Sequence, residues 1–279
     1  MPLVTSGELL HKAQQGGYAV AAFNVENMEM AQAVVAAAQE LNAPVIVQTT
    51  SGTLKYAPPA VFAGMVERLA QRVSVPVALH LDHGSSLALA VECKQAGYTS
   101  LMIDGSTLPL EGNITLTRSV VEAAGGLPVE AELGTVGGKE DDHEARPQYT
   151  DPQEAVRFVR ETGIASFAVA IGTAHGVYQG VPKLDIGRLE EIRAVVSIPL
   201  VLHGTSGVPH EQVRACIARG ICKVNYATEL RIAFSDGVKA ALAAKPDAFD
   251  PKAYLSAGRE AVRMRVLDLI RLCGADGNA

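Results

Sequence analysis

Eight short, apolar, β-branched runs punctuate the chain at residues 18–25 (YAVAAFNV), 44–50 (PVIVQTT), 76–83 (PVALHLDH), 100–106 (SLMIDGS), 129–134 (VEAELG), 166–176 (SFAVAIGTAHG), 199–204 (PLVLHG) and 221–228 (ICKVNYAT). Segments of helical period lie between them, such as 28–41 and 151–162, the second opened by Asp151-Pro152, an N-cap followed by Pro at the first helical position. Alternation of this kind, with strands apolar at nearly every position, means a parallel sheet covered on its outside by helices. Eight units predict a closed (β/α)8 TIM barrel, and 279 residues suit one such domain, read as 1–279. An open doubly wound sheet would show a G-x-G-x-x-G turn after its first strand. Here that strand ends in Phe23-Asn24-Val25.

Composition narrows the function classes. Hydrophobic residues at 48% and charged residues at 19% supply a core and argue against disorder. With 24 Lys plus Arg against 30 Asp plus Glu, a net charge of -6 and no basic run, nucleic acid is not expected as a partner. Every apolar run is broken by Gly, Pro or charge, so no membrane span is expected. Cys93, Cys216, Cys222 and Cys273 form no C-x-x-C pair and read as reduced thiols. The first residues show neither an apolar signal core nor a cleavage site, so a cytoplasmic location is expected.

In a barrel of this kind the reactive side chains stand where strands end at the C-terminal face. Three of the seven histidines fall there, in Asp82-His83-Gly84, Ala174-His175-Gly176 and His203-Gly204, each followed by a glycine that lets the backbone turn away. Three converging imidazoles make a metal site, and a three-His set leaves a position open for water or substrate, as catalytic Zn2+ requires. His11, His80, His143 and His210 read as structural or solvated. Carboxylates crowd the same rim: Asp82 and Glu140 are the candidates for proton transfer, while Asp104 and Glu132 are candidates for orienting the imidazoles.

Two loop regions complete the expected site. Residues 135–150 (TVGGKEDDHEARPQYT) suit neither period and are expected to form a long functional loop after the fifth strand. Gly204, Thr205 and Ser206 after the seventh strand, and Asn225, Tyr226, Ala227 and Thr228 at the eighth, can present backbone N–H groups to an anion, which points to a phosphorylated substrate. Asn24 and Thr50, closing the first two strands, join them as substrate-contact candidates.

The segments HLDHGSS, VEAELGTVGGKEDD, AIGTAHGVY, LVLHGTSGV and KVNYATELR together resemble the class II, zinc-dependent ketose-bisphosphate aldolases over essentially the whole chain, including DPKAYLSAGREA near its C-terminal end. TDPQEAVRFV, SFAVAIGTAHGVY and KVNYATELRIAF look closest to the tagatose-1,6-bisphosphate branch. The resemblance implies Zn2+ on His83, His175 and His203, Asp82 handling the C4 hydroxyl proton, Glu140 exchanging the C3 proton, and Asp104 and Glu132 near an alternative metal position. It further implies dihydroxyacetone phosphate on Gly176, residues 204–206 and residues 225–228, with a monovalent cation (Na+ or K+) beside that phosphate. A homodimer or homotetramer, and a separate stabilising subunit, are the implied protein partners.

The implied reaction is reversible cleavage of tagatose 1,6-bisphosphate to dihydroxyacetone phosphate and glyceraldehyde 3-phosphate, with fructose 1,6-bisphosphate as the alternative ketohexose. Two departures stand out. Gly84 replaces a second His common in the tagatose branch, as in many fructose enzymes, and Gly105-Ser106-Thr107 replaces the Gly-Ser-His of many relatives. A zinc hydrolase would leave the phosphate loops without a role, and a non-catalytic barrel subunit would leave the metal ligands and both proton-transfer carboxylates without one.

Overall fold

The computed structural model describes residues 3–140, 143–145, 147–178 and 180–279, excluding the side chains of 139, 140 and 143–145. Its strands in chain order are β1 (Val20–Asn24), β2 (Val45–Thr50), β3 (Val77–Gly84), β4 (Ser100–Ile103), β5 (Val129–Leu133), β6 (Gly137–Glu140), β7 (His143–Ala145), β8 (Ser166–Val169), β9 (Ala174–His175), β10 (Leu200–Leu202) and β11 (Ile221–Tyr226). Among the described residues, eight of these close a barrel in the order β1-β11-β10-β8-β5-β4-β3-β2, every pairing parallel. The chain therefore folds as the (β/α)8 barrel that its alternating pattern dictates.

Local chemistry sets the covering helices. Asn27 caps the helix Met28–Glu40 by accepting the Met30 N–H at 2.9 Å, and that helix buries Met30, Val34, Val35 and Ala38. The Asp151-Pro152 signal opens the helix Pro152–Thr162, with the Asp151 carboxylate accepting the N–H groups of Gln153 and Glu154 at 2.8 and 3.0 Å. No helix among the described residues is long and apolar enough to cross a membrane.

The sixth apolar run departs from expectation. Its barrel strand stops at Val169, and His175 belongs instead to β9, which pairs parallel with β6, itself antiparallel to β7. Residues 135–150 are thus no plain loop: they carry a small hairpin whose β6 edge joins the segment bearing His175, closed at its base by Thr135–Gln148 backbone hydrogen bonds of 2.7 and 3.0 Å. Gly138 permits this approach at a backbone φ of +88°, where an added Cβ would lie 2.2 Å from the His175 carbonyl oxygen. Asp141 and Asp142 lie outside the described residues.

The third strand is also irregular at its end. His83 adopts a left-handed φ of +44°, and the β3–β4 register shifts between Leu81 and Gly84. At Gly84 a Cβ would sit 2.3 Å from the Met102 carbonyl oxygen. A side chain at position 84 would therefore not fit this backbone.

Candidate metal centre and active site

Side chains alternate along each strand, so residues of one parity fill the lumen. On β3 these are His80 and Asp82, on β5 Glu130 and Glu132, and on β11 Lys223 and Asn225, all buried. Barrel interiors are more often filled by branched apolar side chains, yet among the described residues the apolar cluster set apart from the main core is limited to Met102, Ala168 and Val201.

At the C-terminal end of this lumen the ligand atoms of His83, His175 and His203 lie within 4.8 Å of one another. His83 Nε2 and His203 Nδ1 are 2.9 Å apart, and the His175 ring stands edge-on to His83 with centroids at 4.9 Å. The outward nitrogens are taken. His83 Nδ1 is 2.7 Å from Asp104 Oδ2, and His203 Nε2 is 2.8 Å from Glu130 Oε1. Each carboxylate accepts the outward N–H, so a divalent cation that displaced the proton between the two inward nitrogens would meet a lone pair on each.

Electrostatics also favours a cation here. Burial opposes charge on His83, but Asp82 beside it and the hydrogen bond to Asp104 outweigh burial and hold its pKa well above the usual histidine range. Burial, and then the neighbouring His83, hold His175 and His203 well below that range. Burial pushes the Glu132 carboxyl up to about 8, with Asp104 adding to the effect. Glu132 Oε1 accepts the Val136 N–H at 3.1 Å, whereas its buried Oε2, 3.7 Å from His203 Nδ1, has no hydrogen-bond partner. An orphaned carboxylate oxygen beside three imidazoles fits a divalent cation in the pocket. His83, Asp104 and Glu132 make a second, overlapping donor group.

Asp82 stands next to the cluster. Its Oδ2 accepts Asn24 Nδ2–H at 2.8 Å and its Oδ1 accepts Asn225 Nδ2–H at 3.0 Å, while Gln48 donates to Asn24 Oδ1 at 2.8 Å and so orients the first amide. Burial would raise the Asp82 pKa, but His83, His203, Lys223 and the Asn24 hydrogen bond together hold it below the ordinary range. The result is a fixed carboxylate, ready to accept a proton.

A cleft of about 290 Å³ opens over these groups, lined by Asn24, Asp82, His83, His175, Gly176, Gly204, Thr205, Ser206, Asn225, Ala227 and Thr228. The helix Thr228–Ala244 begins at its edge, and Ala227 at the N-cap supplies no side-chain hydrogen bond. Tyr178 ties two rims together, its hydroxyl accepting the Ala174 N–H at 2.7 Å and donating to the Gly204 carbonyl at 2.8 Å.

Two residues expected as substrate contacts, Thr50 and Tyr226, are not among those lining the cleft. The Thr50 hydroxyl is occupied as the N-cap of the helix Ser51–Tyr56, accepting the Thr53 N–H at 3.2 Å. Tyr226 follows inward-facing Asn225 and so faces outward, stacked on Phe23 with its hydroxyl toward Cys273. Glu140 ends β6, and its side chain lies outside the described part of the structure. Sequence reasoning did not single out Gln48, Glu130, Lys223 or Tyr178. Strand parity with Glu132 and Asn225 was the available signal for Glu130 and Lys223.

The family model for class II fructose-bisphosphate aldolase matches residues 4–278. The chain is similar to the crystal structure of the YdjI aldolase from Escherichia coli K12, at 37% identity over 99% of both chains with a TM-score of 0.88. It is also similar to a putative fructose-1,6-bisphosphate aldolase from Coccidioides immitis, at 28% identity over 97% of this chain and 96% of that one, TM-score 0.88. A fructose-bisphosphate aldolase from Campylobacter jejuni, at 24% identity over 100% and 97% with a TM-score of 0.85, shares the fold. With the match running almost from end to end, the chain belongs to the class II fructose-bisphosphate aldolase family and is an aldolase, a carbon–carbon lyase.

Proposed function

We propose that this aldolase reversibly cleaves a ketohexose 1,6-bisphosphate, with tagatose 1,6-bisphosphate its preferred substrate, to dihydroxyacetone phosphate and glyceraldehyde 3-phosphate. The observation that carries the reading is the juxtaposition, in one cleft, of three converging imidazoles with a carboxylate held by two amides. Held by His83, His175 and His203, Zn2+ would supply Lewis-acid polarisation of the C2 carbonyl. Asp82 takes the C4 hydroxyl proton as the C3–C4 bond breaks, its two oxygens oriented by Asn24 and Asn225. Glu140, on the strand that pairs beside His175, returns a proton to C3. The N–H groups of residues 204–206, 227 and 228, with the uncapped helix start at Thr228, bind the phosphate next to C1. A Na+ or K+ ion beside that phosphate, a homo-oligomer and a cytoplasmic location complete the reading.

Fructose 1,6-bisphosphate is the second reading, favoured by Gly84, whose surroundings exclude the extra histidine of the tagatose branch. The epimers differ at C4, where a hydrogen bond made to one and lost to the other is worth about 1–3 kcal/mol. A preference of roughly tenfold to a hundredfold in kcat/KM follows, with turnover of both sugars. A coupled assay with both bisphosphates, before chelation, after chelation and after zinc is restored, tests the reading. Tagatose preferred with zinc-dependent turnover supports it. A tenfold preference for fructose bisphosphate moves the protein to the second reading, and full activity after verified metal removal overturns the mechanism.

A further inference from the structure

Below the cleft lies an ion pair that the aldol reaction as proposed does not use. Glu130 on β5 and Lys223 on β11 are 2% and 0% exposed, with Lys223 Nζ 3.1 Å from Oε1 and 3.0 Å from Oε2 of the carboxylate. Their strands are not neighbours: β8 and β10 stand between them in the barrel, so the pair spans the lumen. Burying two charges this deeply costs more desolvation than their attraction commonly returns, and apolar side chains of like volume often stabilise a fold better. Stability is therefore a poor account of why these two residues occupy the lumen.

Their contacts give a better one. Glu130 Oε1, which receives Lys223 Nζ, also lies 2.8 Å from His203 Nε2, and Ser166 Oγ donates to Oε2 at 3.4 Å. With Lys223 touching both oxygens, the carboxylate plane is fixed across the barrel axis. Asn225 Nδ2, 3.2 Å from His203 Nε2, is already given to Asp82 Oδ1 at 3.0 Å, so the fixed acceptor places the His203 proton on Nε2 and leaves Nδ1 facing His83 Nε2, 2.9 Å away. His80, the other imidazole at this level, keeps Nδ1 on Ser100 Oγ at 2.8 Å and stands 3.9 Å from Glu130, too far to replace it.

We propose that Glu130 and Lys223 are positioning residues: a lumen-spanning strut that selects the His203 tautomer and thereby sets the affinity of the three-histidine centre for its metal. The proposal rests on the reading of His83, His175 and His203 as zinc ligands.

The test measures zinc dissociation constants by competition with a chromophoric chelator, alongside melting of the metal-free proteins. Wild type and H203A come first. Equal zinc binding by these two overturns the ligand reading itself, independently of the strut. E130L/K223M removes both charges together and leaves neither uncompensated. Its metal-free form is expected to melt at or above the wild-type temperature, while zinc binds roughly 10- to 100-fold more weakly. E130Q/K223M restores an acceptor for the His203 Nε2–H, and most of the lost affinity is expected to return with it. Wild-type zinc affinity in E130L/K223M overturns the strut. So does an E130Q/K223M variant that folds but binds zinc roughly 10-fold or more weakly than wild type, an outcome that can be read even if the leucine variant fails to fold.

Discussion

On β5 and β11 the two faces of the strand are equally buried and chemically opposite. On β5 the outward residues are Val129, Ala131 and Leu133, packed into the main core, while the inward residues are Glu130 and Glu132. On β11 the outward Cys222, Val224 and Tyr226 oppose the inward Lys223 and Asn225. The outer layer gains its free energy from apolar burial, which is non-directional and tolerates small shifts. The lumen is held by hydrogen bonds and paired charges whose loss leaves partners stranded. Stability therefore belongs mainly to the outer face and chemistry to the inner one, and perturbations of the two should separate.

The strongest test of that separation is metal removal. Chelation is expected to abolish cleavage while far-UV circular dichroism stays unchanged, because the helix-covered shell does not depend on a cation. Loss of secondary structure together with activity would break the comparison. Next, Asp82→Ala should lower cleavage by roughly 10²–10⁴-fold and spare exchange of the C3 proton of dihydroxyacetone phosphate. Glu140→Ala should impair that exchange instead. Equal loss of exchange in both variants at unchanged zinc content would remove the division of roles.

The outer face is probed from the other side. Phe167 on β8 is fully buried and packs on Phe158 of the helix Pro152–Thr162 with ring centroids 6.0 Å apart. Phe167→Ala should cost about 3–5 kcal/mol, a fall of roughly 6–20 °C in melting temperature, with kcat per folded molecule retained at low temperature. A kcat that fell with the melting point would show the two faces to be coupled. The smallest effect is expected from the thiols. Burial pushes Cys93, Cys216 and Cys273 up to about 12, so above pH 9 the unfolded chain releases protons that the folded one keeps. Their contribution to stability should be intact below pH 9 and decline as pH rises toward 12. Native protein should accordingly resist a thiol-specific reagent at pH 8, and denatured protein should react at Cys93, Cys216, Cys222 and Cys273.

The outer face was also the more legible in the sequence. Its apolar runs set the barrel directly, and Asp82, His83 and His203 could be placed because they sit where those runs stop. Glu130 and Lys223 were harder, since 93 residues separate them and they meet only once the sheet has closed. Asn225 and Tyr226 were grouped together although alternation sends consecutive side chains to opposite faces. The β6–β9 pairing stayed hidden because Gly137, Gly138 and a charged stretch carry no apolar period, the pairing being built from backbone at a close approach. His175 consequently has a different support from the other two imidazoles, on a two-residue strand outside the barrel.

The polar lumen also bears on how the protein responds to temperature. Unfolding exposes apolar surface, which raises heat capacity by about 0.45 cal/K/mol/Å², and polar surface, which lowers it by about 0.26. Asn24, Gln48, His80, Asp82, Glu130, Glu132, Lys223 and Asn225 all enter the second sum. A barrel of this length with an aliphatic lumen would place those areas in the first. The heat-capacity increment of this chain is thereby reduced relative to that barrel, and its stability curve is correspondingly flatter.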